Sequence, residues 1–139
     1  MAITQAMCSS FKSELFGGTH DLDTDTIKIA LFTSAATLSA ATTAYATTNE
    51  VVGTGYTAGG NTLTGAAISL DGTTAIVDFA DSTWPSATIT ARGALLYNAS
   101  KANRAIAVLD FGSDKTSTSG DFSVSFPAPA AATAILRVA

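Results

Sequence analysis

A succession of short runs rich in β-branched and aromatic residues fills the chain after residue 25, and it constrains the fold more than any other feature. TIKIALFT (26–33) alternates Ile27, Ile29 and Leu31 against Lys28, Ala30 and Phe32. AIVDFA (75–80), ATITARGALLYN (87–98), RAIAVLDFG (104–112), DFSVSFP (121–127) and TAILRV (133–138) have the same character. Breaks at Asp71-Gly72, Trp84-Pro85, Asn98–Asn103, Gly112–Gly120 and Pro127–Pro129 supply turns at the spacing of an all-β domain. The segment Ser34–Thr48 is too Thr-rich for a helix and too loose for a core strand. It is read as an extended excursion with room for one helical turn. No internal repeat or charged linker divides the chain. Residues 1–139 are therefore expected to form one mainly β domain, an antiparallel β-sandwich of jelly-roll or Ig-like type, with its strands over 26–139.

The exception lies at the start. In ITQAMCSSFKSELFGG (3–18), Met7, Phe11 and Leu15 recur at four-residue spacing, flanked by Ile3, Cys8 and Phe16. Gln5, Ser9, Lys12, Ser13 and Glu14 take the opposite side, which predicts one short N-terminal amphipathic α-helix within residues 1–18. Thr4 is the expected N-cap and Gly17-Gly18 the left-handed stop. So short a helix is marginal alone, so its stripe must lie against a sheet or a neighbouring subunit. Met7, Phe11 and Leu15 are thus interface candidates, together with Tyr56 and Trp84. For Trp84, beside Pro85 at a strand junction, core plug and subunit anchor are equally open.

Composition bears on partners. Charged residues make up only 13%, against about 25% in an average domain, and Thr, Ser, Ala and Gly dominate the uncharged remainder. Such a surface tolerates close subunit packing, so a homo-oligomer is expected. The net charge of −4 and the scatter of Lys12, Lys28, Arg92, Lys101, Arg104, Lys115 and Arg137 leave no basic patch for nucleic acid. Residues 1–20 show no cationic start with an apolar run, and no stretch approaches the ~20 apolar residues of a membrane span. Neither a secretory signal nor a membrane partner is expected, and the chain is read as soluble. A single cysteine, Cys8, rules out an internal disulfide framework.

Motifs suggestive of chemistry dissolve on inspection. In EVVGTGYTAGG (50–60), Gly53, Gly55 and Ala58 fit G-x-G-x-x-A, but only Glu50-Val51-Val52 precedes the turn and GGNTLTGA cannot open the helix that would hold a pyrophosphate. A glycine-rich loop and hairpin around Tyr56 is the better reading. DLDTDT (21–26) begins like a calcium loop, yet Thr26 and Phe32 stand where glycine and a bidentate glutamate belong, leaving a solvated acidic turn. Asp110-Phe111-Gly112 is read as a strand end entering a polar loop rather than a kinase element. His20, the only histidine, lacks a nucleophile elbow and is expected to be exposed or capping. Cys8 is expected to be a buried, inert thiol. No catalytic residue, cofactor or metal ligand is assigned.

Several strings together carry a resemblance: SFKSELF, KIALFTSAATL (28–38), TTAYATTNEVVGTGYTAGG (42–60), VDFAD (77–81), ATITARGALLYN (87–98) and AVLDFGSDKTSTSGDFSVSFP (107–127). Across nearly its whole length the chain resembles a family of small tailed-bacteriophage virion structural proteins. That resemblance implies a virion component assembled in the host cytoplasm, with copies of itself and other virion proteins as partners. Three roles follow as expectations. A capsid decoration or cement protein would bind the major capsid protein and stabilise the head shell. A tail, baseplate or fibre-attachment subunit would bind tail proteins and use the helix from Ile3 to Leu15 as a docking peg. A receptor- or glycan-binding module would use exposed Tyr45, Tyr56 and Trp84.

Overall fold

The computed structural model describes residues 2–138. Their order is β1 (Ala6–Met7), α1 (Ser9–Phe16), β2 (Ile27–Phe32), β3 (Asn61–Thr62), β4 (Ala67–Asp71), β5 (Thr74–Asp78), β6 (Ser82–Asn98), β7 (Arg104–Val124) and β8 (Leu136–Val138). The chain is mainly β, with two antiparallel sheets and one short helix. The larger sheet has the order β1-β7-β6-β2-β3 and the smaller β4-β5-β8. Leu136 and the flanking Phe79 join the core of the larger sheet, and Val77 packs against it.

The helix is shorter than its hydrophobic spacing predicts. Residues 6–7 pair as a strand with Ala107 and Val108, and the Cys8 amide donates to the Ile106 carbonyl. Tertiary ladder bonds override the local periodicity here. Cys8, in extended geometry, takes the N-cap position without a side-chain cap bond, and Thr4 instead donates its amide to the Leu38 carbonyl. The predicted stop is real. Gly18 adopts φ +74°, while Thr19 N–H reaches the Glu14 carbonyl and Gly18 N–H the Leu15 carbonyl, the paired bonds of a Schellman ending.

Two predicted breaks are absorbed into strands. Trp84-Pro85 sits inside β6, where the register slips between Trp84 and Ala87 and Ser86 takes φ +50°; a bulge accommodates the proline. The polar run from Gly112 to Gly120 continues β7, because Ser117, Thr116 and Lys115 pair with Ile89, Thr90 and Ala91. Ala87, Ile89 and Ala91 supply the buried face of that hairpin, so the partner strand can be polar. Asp110-Phe111-Gly112 is accordingly an irregularity within β7, where Gly112 has φ +83°, rather than a strand end. β4 carries no counterpart among the predicted strands.

Both edges of the larger sheet are covered in part. β1 covers β7 at Ala107 and Val108, and residues 50–51 run along the outer edge of β2, where Val51 N–H donates to the Leu31 carbonyl and Glu50 bridges Phe32. Gly60 makes the closest approach. Its φ is +76°, and a Cβ there would stand 1.8 Å from the Ile29 carbonyl oxygen, so only glycine lets the loop reach the strand. The core occupies both faces of the larger sheet, with Ile29, Leu31 and Leu96 on one and Leu95, Ile106 and Val108 on the other, all fully buried.

Candidate interaction surface

Helix α1 turns its stripe inward. Phe11 is 1% exposed and packs its ring 4.9 Å from that of His20. Met7 and Leu15 are half-buried. With Phe11 they form one wall of a cavity of about 410 Å³, whose other wall is Ile68, Val77, Leu136 and Val138 of the smaller sheet. An open apolar groove thus separates helix and small sheet.

A polar clamp closes one side of this groove. His20 is buried rather than exposed, with its side chain fully covered. Its Nε2 lies 2.8 Å from Glu14 Oε1 and its Nδ1 lies 2.9 Å from Asn98 Nδ2. Asn98 Oδ1 accepts the Ser100 amide, while Nδ2 also donates to Asp25 Oδ2 at 2.8 Å. The amide orientation is therefore set, and its remaining N–H points at His20 Nδ1. That nitrogen must accept, so the proton sits on Nε2. Glu14 also takes Arg104 Nη1 at 2.8 Å, and Asp25 takes Lys101 Nζ at 3.2 Å. Burial alone would raise the Glu14 carboxyl, but the bonds from His20 and Arg104 outweigh it and hold it low. The Asn98 amide, then the Asp21 backbone, hold Asp25 low. Both ring nitrogens of His20 are committed, so its chemistry is that of a clasp joining α1, the 21–26 turn and the end of β6. Of that acidic turn, Asp21 and Asp23 stay at the surface while Asp25 is drawn into the clasp. Among the described residues, no group of three or more His, Cys, Asp or Glu is placed to hold a metal ion.

Cys8 is fully buried, and burial followed by the nearby Glu14 charge pushes its thiol up to about 11.

A second clasp gathers the aromatic residues. Glu50, 7% exposed, accepts from Tyr45 Oη at 2.6 Å, from Tyr56 Oη, and from the Gly59 amide at 2.8 Å. Tyr56 Oη in turn accepts the Leu31 amide at 2.9 Å, and Tyr97 Oη donates to the Gly59 carbonyl at 2.6 Å. Tyr45 stacks on Tyr97 at 4.5 Å. Burial first, then the Glu50 carboxylate, pushes the Tyr45 and Tyr56 hydroxyls well above the ordinary tyrosine range. Trp84 is 3% exposed, between Tyr56 and Phe122. Of the five interface candidates, Phe11 and Trp84 are interior, and Met7, Leu15 and Tyr56 are half-buried. The structure brings Met7, Phe11 and Leu15 together at the groove and puts Tyr56 and Trp84 in contact elsewhere.

Outward-facing apolar residues lie where no candidate was assigned. Ile68 is 55% exposed, Leu70 74% and Val138 48%, all in the smaller sheet; Phe16 and Val52 protrude singly. Strand β4 is exposed at every residue. A signal for it existed in the alternation of Ile68 and Leu70 before the Asp71-Gly72 turn. No family model, curated protein or solved structure matches this chain.

Proposed function

We propose that this chain is a bacteriophage virion structural protein, and specifically a capsid decoration protein that stabilises the head shell by bridging neighbouring subunits. The observation that carries the reading is β4, a sheet-end strand exposed at every residue and bearing Ile68 and Leu70 outward. Monomeric proteins rarely leave such an edge open unless it meets another chain. The sequence strings that resemble phage virion proteins supply the setting. Each contact need only be weak, because a shell repeats it and makes attachment multivalent.

The tail reading takes the helix from Ile3 to Leu15 as a docking peg, which must be free to leave the domain. Here α1 is held by the Glu14–His20–Asn98 clasp and by Phe11 in the core, which counts against it. The glycan reading needs open rings, and Tyr45, Tyr56 and Trp84 are bonded to Glu50 or enclosed. Quantitative mass spectrometry of purified particles tests the proposal. Copy number near that of the major capsid protein is the expected result; six, twelve or no copies per particle would overturn it.

A further inference from the structure

β4 is the longest of the four strands that end the two sheets: β1, β3 and β8 are 2, 2 and 3 residues long, whereas β4 offers 5. Exposed edges are ordinarily guarded by lysine, proline or a bulge. Ala67–Asp71 contains neither residue, and its register with β5 runs unbroken from Ala67↔Asp78 to Asp71↔Thr74.

We propose that β4 pairs antiparallel with β4 of a second copy about a twofold axis through Ser69, so that two small sheets become one. This rests on reading the chain as an assembly subunit, and three observations choose the occupant and the register.

The first is hydrogen-bond phase. Asp71 and Thr74 close a hairpin with a two-residue loop, and such closing pairs exchange hydrogen bonds. Alternation then points the backbone groups of Ala67, Ser69 and Asp71 toward β5 and those of Ile68 and Leu70 outward. With the axis at Ser69, Ile68 faces Leu70 of the second copy and the reverse, so each outward N–H and C=O meets its complement. The second is side-chain parity. Ile68 and Leu70 share the face of their partners Val77 and Ala75, so pairing sets Ile68 against Leu70 beside the groove and covers both. The third is charge. This register sets Asp71 across from Ala67 and holds the two Asp71 carboxylates roughly 14 Å apart along the ladder, beyond the ~8 Å screening length at physiological salt. An axis at Asp71 would place them face to face.

Five residues a side fall well short of the ~1,200 Å² of a stable specific interface. The pair is therefore weak in dilute solution and gains strength where other contacts hold many copies together. A covalent trap suits such a contact. Across the axis the two Ser69 residues form a non-hydrogen-bonded pair, with Cα atoms about 4.5 Å apart, within disulfide reach. The native thiol, Cys8, is fully buried and does not compete.

The experiment oxidises concentrated Ser69→Cys, Ala67→Cys and Asp71→Cys proteins mildly and follows dimer formation on non-reducing gels. Ser69→Cys is expected to dimerise and the other two are not, while a mixture of Ala67→Cys and Asp71→Cys gives the mixed dimer. Adding Leu70→Lys, at a position 74% exposed, should abolish the Ser69→Cys dimer without changing the thermal melt. A Ser69→Cys protein that stays monomeric, or dimerises no faster than Ala67→Cys and Asp71→Cys, overturns the pairing. The same variant in infected cells separates the two ideas. A cross-link in solution with the chain missing from particles refutes the virion role alone. Abundant chain in particles without a cross-link refutes the pairing alone.

Discussion

Glu50 accepts hydrogen bonds from two tyrosine hydroxyls and a backbone amide in a nearly dry site. Removing it strands those donors, and each unsatisfied buried group costs about 1–3 kcal/mol. Glu50→Ala should therefore lose roughly 3 kcal/mol or more of unfolding free energy in urea, and Glu50→Gln, which keeps an acceptor, clearly less. Because Tyr45 and Tyr56 are held neutral by burial and by Glu50, the unfolded chain releases these protons first. Their contribution to stability is intact below the ordinary tyrosine value near pH 10 and falls as pH rises above it. An absorbance titration of the phenolate band should show both rings ionising only together with alkaline unfolding. His20 gives a sharper test. Its ring nitrogens, resolved by long-range ¹H–¹⁵N correlation at neutral pH, should report the Nε2–H tautomer. Asn98→Asp, which replaces the donor amide by an acceptor, should shift the proton balance toward Nδ1.

At the scale of elements, two pieces of glycine geometry predict different costs. Gly72, in the β4–β5 turn at φ +62°, would meet nothing within 4 Å if given a Cβ, whereas at Gly60 that atom would collide with the Ile29 carbonyl. Gly72→Ala should cost about 1 kcal/mol, the left-handed backbone penalty alone. Gly60→Ala should cost more than ~2 kcal/mol, because the loop sealing β2 must move away from its strand. Thermal melts of the two variants compare them directly. Helix α1 depends on carboxylates in a similarly specific way. Glu14 and Asp25 are held below their ordinary values, chiefly by hydrogen bonds from His20, Arg104 and Asn98. The stability they contribute is full above the unfolded carboxylate values near pH 4 and is lost as pH falls through the lower folded ones. Acidification below about pH 4 should loosen the clasp, read as earlier hydrogen exchange in residues 9–16 than in β6.

For the whole molecule, the distribution of edges matters more than the size of the core. The smaller sheet ends in β4, exposed at every residue, so it is there that the sheet can continue into a second copy. Copies carrying a net charge of −4 repel one another, and the β4 contact is built of backbone bonds and aliphatic side chains. Raising salt should therefore increase the yield of the Ser69→Cys dimer, by screening repulsion without weakening the bond; cross-linking at low and high sodium chloride measures this. The mainly β character, the turns at Asp71-Gly72 and Asn98–Asn103, the Gly17-Gly18 helix stop and the buried Cys8 were legible in the sequence, because each follows from backbone conformation or side-chain polarity within a few residues. The helix start, the continuity of β7 through its polar run, the burial of His20 and the bare edge at β4 were not. Each of those depends on which distant segment lies alongside: residues 106–108 claiming Ala6 to Cys8, Ala87 to Ala91 lending a buried face to Lys115 to Ser117, Glu14 and Asn98 meeting around an imidazole. Local sequence specifies what a segment can become. Pairing across long stretches of chain decides which hydrogen-bonding groups are used up inside the fold and which are left facing outward for another molecule.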